Sequence, residues 1–196
     1  MNYPLSFRFK VVALASQVSA KDAGGNELFY IKQKLFKLKE NIEVYRDASK
    51  SELLFTLKAD RVIDFSPLLT LADSQGAEVG TVKRQGRASI WKATYDVTLH
   101  GQPVARVREA NPWVKFFDGL LGEVPILSLF TGYLFHPKYL ITDTSGGVLG
   151  ELEKRPGFFE QNYLLQSSQL AALDETAQHT LVVLLMAVAL REHVRG

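Results

Sequence analysis

Apolar residues alternate with polar ones along most of this chain, and turns rich in Asp and Gly separate the alternating segments. Asp73-Ser-Gln-Gly76 lies between the segments Leu69–Leu71 and Val79–Arg84, and Asp143-Thr-Ser-Gly146 is a second turn of the same kind. A period of two on both sides of such a turn is typical of a β-hairpin. The pattern predicts about 11 or 12 strands between about residues 5 and 168.

The C-terminal segment has a different pattern and is predicted to be a helix. Asp174 suits the N-cap position and Glu175 suits the positive end of the helix dipole, so we expect a helix over about 174–194. Its middle, Leu181–Leu190, is an unbroken run of apolar residues. A surface helix has only one apolar face, whereas this one is apolar all round, so it must be surrounded by protein.

A closed β-barrel provides such surroundings. Twelve strands about 4.8 Å apart, tilted by about 40°, give a backbone radius of about 12 Å. The remaining space of roughly 10 Å between the strands and the axis is filled by a helix with its side chains. We therefore predict one domain over residues 1–196: an all-β fold, a closed antiparallel β-barrel of about 12 strands around a central hydrophobic C-terminal α-helix.

These features resemble the LURP-one-related group of the tubby-like superfamily, which also includes tubby C-terminal domains and phospholipid scramblases. The resemblance covers nearly the whole chain: the segment Val18–Lys34, the turns Asp73–Gly76 and Asp143–Gly146, and the helix after Asp174-Glu175. It implies a tubby-like barrel with no catalytic signature. Similarity to tubby domains implies binding of phosphoinositide head groups through a basic surface, and similarity to scramblases implies an association with membranes. The calcium segment of the scramblases has no clear counterpart.

Composition limits the chemistry further. The chain has no cysteine, which excludes disulfides, thiolate metal sites and cysteine nucleophiles. Its 23 basic and 21 acidic side chains are nearly balanced, so we expect no nucleic-acid partner. The four histidines are scattered, and the sequence has no H-E-x-x-H, P-loop or G-x-S-x-G motif. We expect no enzymatic activity, no metal site and no cofactor.

Neither apolar run along the chain suits a targeting or membrane-spanning segment. Val11–Ala15 is shorter than the roughly 7–15 apolar residues of a signal peptide, and Leu181–Leu190 is shorter than the ~20 residues of a transmembrane helix. We expect a cytoplasmic protein without a transmembrane segment that attaches peripherally to a membrane surface.

Two basic clusters are the candidate binding residues for anionic head groups: Lys32, Lys34, Lys37 and Lys39, and Lys83, Arg84, Arg87 and Lys92. Each basic residue close to an anionic membrane contributes about 1 kcal/mol of attraction. The first 100 residues hold 15 basic and 11 acidic side chains, so the basic character is concentrated in that half. The alternative is a solvated strand face on which lysines oppose edge-to-edge pairing.

Four aromatic residues are candidates for membrane or partner contact: Trp91, which precedes Lys92 of the second cluster, and Trp113, Phe116 and Phe117, which follow the basic half of the chain. The aromatic-rich segment 113–135 is a contact surface if it is exposed, and it plugs one end of the barrel if it is buried. We favour a non-enzymatic module that binds anionic phospholipid or phosphoinositide head groups. The alternative is a protein–protein interaction or scaffold domain that uses the segment 113–135. An enzyme or small-ligand carrier fits less well, because the central helix leaves little lumen.

Overall fold

The computed structural model describes residues 1–12, 15–34, 41–60, 68–85, 93–110, 138–155 and 160–195. Twelve strands and one α-helix lie in these ranges. The strands are β1 (Leu5–Val12), β2 (Ala15–Lys21), β3 (Glu27–Lys34), β4 (Ile42–Tyr45), β5 (Leu53–Ala59), β6 (Leu68–Asp73), β7 (Glu78–Arg84), β8 (Thr94–Leu99), β9 (Gln102–Glu109), β10 (Lys138–Thr142), β11 (Val148–Arg155) and β12 (Glu160–Ser167). A 3-10 turn (Leu170–Ala172) precedes the helix α1 (Glu175–Arg195).

The strands form a closed antiparallel barrel in which each strand pairs with its neighbours in sequence. The barrel closes between β1 and β12, whose register runs from Leu5 opposite Leu165 to Lys10 opposite Glu160. This confirms the predicted barrel of about 12 strands around a C-terminal helix. The helix begins and ends within one residue of the predicted bounds.

Alternation along the strands separates the inside of the barrel from the outside. On β1, the side chains of Leu5, Phe7 and Phe9 are at most 1% exposed, whereas Ser6 and Arg8 are exposed. Successive side chains of a strand point to opposite faces, so one set fills the core and the other covers the outer surface. The outer face of the barrel wall is therefore the face that solvent reaches.

The helix α1 lies inside the barrel. Every residue from Leu181 to Leu190 is at most 4% exposed, as a helix that is apolar on all sides requires. It approaches the wall on separate sides, since His179 packs edge-on against Phe29 of β3 and Leu184 contacts Gly80 of β7. Within the described ranges, no helix combines the length and apolar character that a bilayer crossing needs.

The described hairpin turns lie at one end of the barrel, called the turn end here, where α1 also begins. The turn after β10 shows their chemistry: Asp143 Oδ1 accepts hydrogen bonds from the backbone N–H groups of Ser145 and Gly147, both at 2.8 Å. Gly146 takes the positive φ of 92° that the turn needs. The segment 113–135, predicted as a contact surface or a plug of the barrel, lies outside the described residues.

Candidate functional site

The first predicted basic cluster begins on β3. Lys32 lies on the outer face and is exposed. Lys34 is the last residue of β3, but its side chain is not among those that the structure describes. Lys37 and Lys39 lie outside the described residues altogether. The structure thus places one side chain of this cluster on the outer surface, and the binding role of the cluster stays a prediction.

The second predicted cluster divides between the two faces of the barrel wall. Lys83 is exposed and lies opposite Asp96, whereas Arg84 is partly buried and lies opposite Tyr95, a core residue. Register partners share a face, so Arg84 is on the inner side. Arg87 and Lys92 lie outside the described residues, together with the predicted contact residues Trp91, Trp113, Phe116 and Phe117.

The described members of the two clusters do not share one side of the molecule. Lys32 is on β3 and Lys83 is on β7, four strands away in a barrel of twelve. This separation is a third of the way around the wall. A flat membrane surface that faces one of these lysines directly therefore does not face the other, which lies on a different side of the barrel.

The structure instead brings Lys32 together with basic residues of β1 and β2. Lys10, Gln17 and Lys32 form one row across the three strands, and Arg8, Ser19 and Tyr30 form the next row. Strands are about 4.8 Å apart, so the Cα atoms of Lys10 and Lys32 are roughly 10 Å apart, and those of Arg8 and Lys10 are about 7 Å apart along β1. Four cations thus occupy the outer face of β1–β3: Arg8, Lys10, Lys21 and Lys32.

These strands enclose a shallow pocket on the outer wall, called the basic depression here. Its volume is about 190 Å³, and it is lined by Arg8, Lys10, Gln17, Ser19, Lys21, Glu27 and Tyr30. Lys32 lies beside it in the same row as Gln17. Within the described ranges, neither Lys21 nor Lys32 forms an ion pair, so both ammonium groups are available to an anion.

Hydroxyl groups provide neutral donors in the basic depression. Tyr30 is 8% exposed, and burial, followed by the nearby Glu27 carboxylate, raises the pKa of its phenol. The phenol therefore stays protonated at neutral pH and can donate a hydrogen bond to an anionic oxygen. Ser19 adds a second hydroxyl in the neighbouring strand.

One carboxylate, that of Glu27, lies among these cations. Its Oε2 atom accepts a hydrogen bond of 3.2 Å from the backbone N–H of Ala48, which holds it from the side of the β4–β5 turn. Glu27 is the register partner of Lys21, but the two side chains form no ion pair. The ammonium group of Lys21 and the carboxylate of Glu27 therefore both line the basic depression without neutralising each other.

A larger groove of about 740 Å³ lies on the outer face of β8–β10, and its lining holds two cations, Arg106 and Arg108, and two carboxylates, Asp96 and Asp143. Arg106 Nε donates to Asp96 Oδ1 at 2.8 Å, and Gln85 donates to the other oxygen of Asp96 at 2.8 Å. On the neighbouring strands, Lys138 Nζ lies 3.1 Å from Glu151. This groove offers more volume than the basic depression but no comparable excess of positive charge.

Among the described residues, no three His, Asp or Glu side chains are placed to hold a metal ion together. His179 is partly buried within the barrel, where its ring stacks edge-on against Phe29 at 5.6 Å between centroids. His100 occupies a hairpin turn with a positive φ of 47°. His179 therefore packs in the core and His100 forms a turn, which accounts for both of these histidines.

Sequence reasoning missed three of the four cations of the β1–β3 face: Arg8, Lys10 and Lys21. Arg8 and Lys10 alternate with Phe7 and Phe9, which marks them as outward side chains of a strand but does not identify their neighbours. The signal that could have found them is parity combined with register. When β1, β2 and β3 are aligned in the register that their two connections set, the outward residues of the three strands lie side by side.

Comparisons with known proteins relate this chain to a solved structure and to a protein family. A structure of an Arabidopsis thaliana protein determined by X-ray crystallography is similar, with 16% sequence identity, a TM-score of 0.48, and coverage of 95% of this chain and 92% of that chain. No curated protein matches the sequence. The model of the LURP-one-related family matches residues 27–124, which is half of the chain and runs from β3 past β9. On this match, the chain belongs to the LURP-one-related family.

Proposed function

We propose that this protein is a non-enzymatic module that binds anionic phospholipid head groups at a cytoplasmic membrane surface through the basic depression. The observation that carries the proposal is the convergence of four cations on three adjacent strands: Arg8, Lys10, Lys21 and Lys32. Phosphoinositides fall within this class of ligand.

The expected strength follows from the number of charges. At about 1 kcal/mol for each basic residue near an anionic surface, four residues contribute about 4 kcal/mol. At 1.4 kcal/mol per tenfold change, this corresponds to an affinity gain of roughly 10³-fold over a neutral membrane. Because exposed charges are screened over about 8 Å at physiological ionic strength, the gain falls as salt is added.

Co-sedimentation with liposomes tests the proposal directly. The protein is mixed with neutral phosphatidylcholine vesicles and with vesicles that also contain an anionic lipid, each at low and physiological salt. The double variant Lys21→Gln/Lys32→Gln removes two exposed charges that make no ion pair within the described ranges. We expect it to weaken binding to the anionic vesicles by about 30-fold, from about 2 kcal/mol.

A matched control removes the same number of charges elsewhere. Lys58 on β5 and Lys83 on β7 are exposed lysines away from the basic depression, and Lys58→Gln/Lys83→Gln is expected to bind nearly as well as the original protein. Loss of binding in this variant alone would move the site to the Lys83 cluster and contradict the proposal. Binding to no vesicle at either salt concentration would refute lipid binding and favour the protein-contact alternative at segment 113–135.

A further inference from the structure

Resting on the proposed function, we propose that the basic depression selects an anionic head group that also carries a primary ammonium group, the phosphatidylserine type, and that Glu27 provides this selectivity. A surface that recognised negative charge alone would gain nothing from a carboxylate in its lining. Glu27 is nevertheless part of that lining, between Lys21 on β2 and Tyr30 on its own strand.

The charges of the lining match those of such a head group. Arg8, Lys10 and Lys21 provide three cations and Glu27 provides one carboxylate. A phosphoserine head group carries a phosphodiester, a carboxylate and an ammonium. The two anionic groups pair with cations of the lining, and the ammonium pairs with Glu27, so no like charges need to face each other.

The geometry of Glu27 leaves one of its oxygens for a ligand. Oε2 accepts the N–H of Ala48 at 3.2 Å, whereas Oε1 makes no hydrogen bond with any described residue. The bond to Ala48 holds the carboxylate in place. Lys21, directly across from Glu27 in register, leaves it unpaired, so an ammonium group can approach without displacing a protein partner.

The size of the basic depression favours a compact head group. Its volume of about 190 Å³ is below the roughly 300–1,000 Å³ of pockets that enclose drug-sized ligands. A single phosphate with a short amino-acid substituent suits this volume better than a large ring carrying several phosphates. The hydroxyl groups of Ser19 and Tyr30 supply the neutral hydrogen bonds that orient such a group.

The test compares two lipids of the same charge. Vesicles contain equal mole fractions of phosphatidylserine or phosphatidylglycerol in phosphatidylcholine, so the surface charge is matched. The substituent on the phosphate differs: serine carries an ammonium and a carboxylate, whereas glycerol carries only hydroxyl groups. We expect the protein to bind phosphatidylserine vesicles roughly two- to fivefold more tightly, the range of an exposed ion pair. Glu27→Gln should abolish this preference by strengthening binding to phosphatidylglycerol, because the variant loses a negative charge but keeps an acceptor for Ala48.

Glu78→Gln is the matched control, since Glu78 is exposed on β7 and lies away from the basic depression. It should keep the preference for phosphatidylserine. Equal binding of both lipids by the original protein overturns the inference while leaving the proposed function in place. Binding of neither lipid overturns the proposed function itself.

A final arm separates a lipid from a soluble ligand of the same chemistry. Glycerophosphoserine should displace the protein from phosphatidylserine vesicles only weakly, and glycerophosphoglycerol should displace it even less, because the vesicle adds the attraction of many neighbouring charges. Direct binding of glycerophosphoserine as tight as binding to the vesicle would identify a soluble head group as the ligand and overturn the assignment to a membrane lipid.

Discussion

Gly80 on β7 is the point where the barrel wall and the central helix leave no room for a side chain. A Cβ atom at this position would lie 2.8 Å from the carbonyl oxygen of Thr98, 3.0 Å from Leu184 Cδ1 and 3.1 Å from Leu99 Cδ2. Favourable contacts between carbon atoms lie at about 3.5–4.0 Å. The carbonyl of Thr98 belongs to the neighbouring strand β8, so it cannot move aside like the end of a flexible side chain.

Gly80→Ala is therefore expected to destabilise the fold. Overpacking of a close-packed core costs about 1–3 kcal/mol, and we take about 2 kcal/mol for this change. For a domain of this size, that lowers the thermal midpoint by roughly 4–8 °C. Thermal unfolding followed by circular dichroism and denaturation in guanidinium chloride measure the change.

A double-mutant cycle with Leu184→Ala tests whether the helix causes the cost. Leu184 is fully buried, so its truncation alone is expected to cost about 2–5 kcal/mol. It also removes the Cδ1 atom that the new methyl group would meet. The double variant should therefore be less destabilised than the sum of the single variants, by about 0.5–3 kcal/mol.

Gly76→Ala is the control for the loss of a glycine. Its φ is 87° and a Cβ atom there would meet nothing within 4 Å, so the cost of about 1–2 kcal/mol comes from the backbone and should add independently to Leu184→Ala. A stability of Gly80→Ala equal to that of the original protein, or strict additivity with Leu184→Ala, would refute the close packing of α1 against β7.

Two further predictions concern the entry of the helix into the barrel. Asp174 Oδ1 accepts a hydrogen bond from the backbone N–H of Ala177 at 2.9 Å. Asp174→Ala should therefore lower the free energy of unfolding by about 1 kcal/mol, and Asp174→Asn should lower it by much less. Equal losses for the two variants in denaturant titrations would argue against capping. His179 has a lowered pKa, first because of burial, with the Glu175 carboxylate opposing the shift. A histidine held neutral in the folded state contributes stability that is complete above its unfolded pKa of about 6.5 and is lost as the pH falls through its folded pKa. Unfolding in urea between pH 5 and pH 7.5 should thus show a smaller loss on acidification for His179→Gln than for the original protein, and parallel curves would contradict this.

Local patterns in the sequence were sufficient to predict the architecture. Alternation identifies strands because successive side chains point to opposite faces. An Asp followed by a Gly identifies the turns because the Asp carboxylate accepts hydrogen bonds from backbone N–H groups of the turn, and the Gly adopts the positive φ that the turn needs. Leu181–Leu190 specified a surrounded helix since it has no polar face. Each of these signals depends on residues within a few positions of one another, and the structure confirms the barrel and the helix that they predict.

Which side chains meet on the outer surface was decided by the tertiary structure. Parity shows that Arg8, Lys10 and Lys21 alternate with core residues, but only the register of β1, β2 and β3 places them in one depression with Glu27. Adjacent residues can also be separated, as Lys83 and Arg84 are by the two faces of β7. Charges that are neighbours in sequence lie on opposite sides of a strand, whereas charges on different strands become neighbours through turns and hydrogen bonds. The sequence alone therefore determines the wall and the core of this barrel, and the pairing of its strands determines the site.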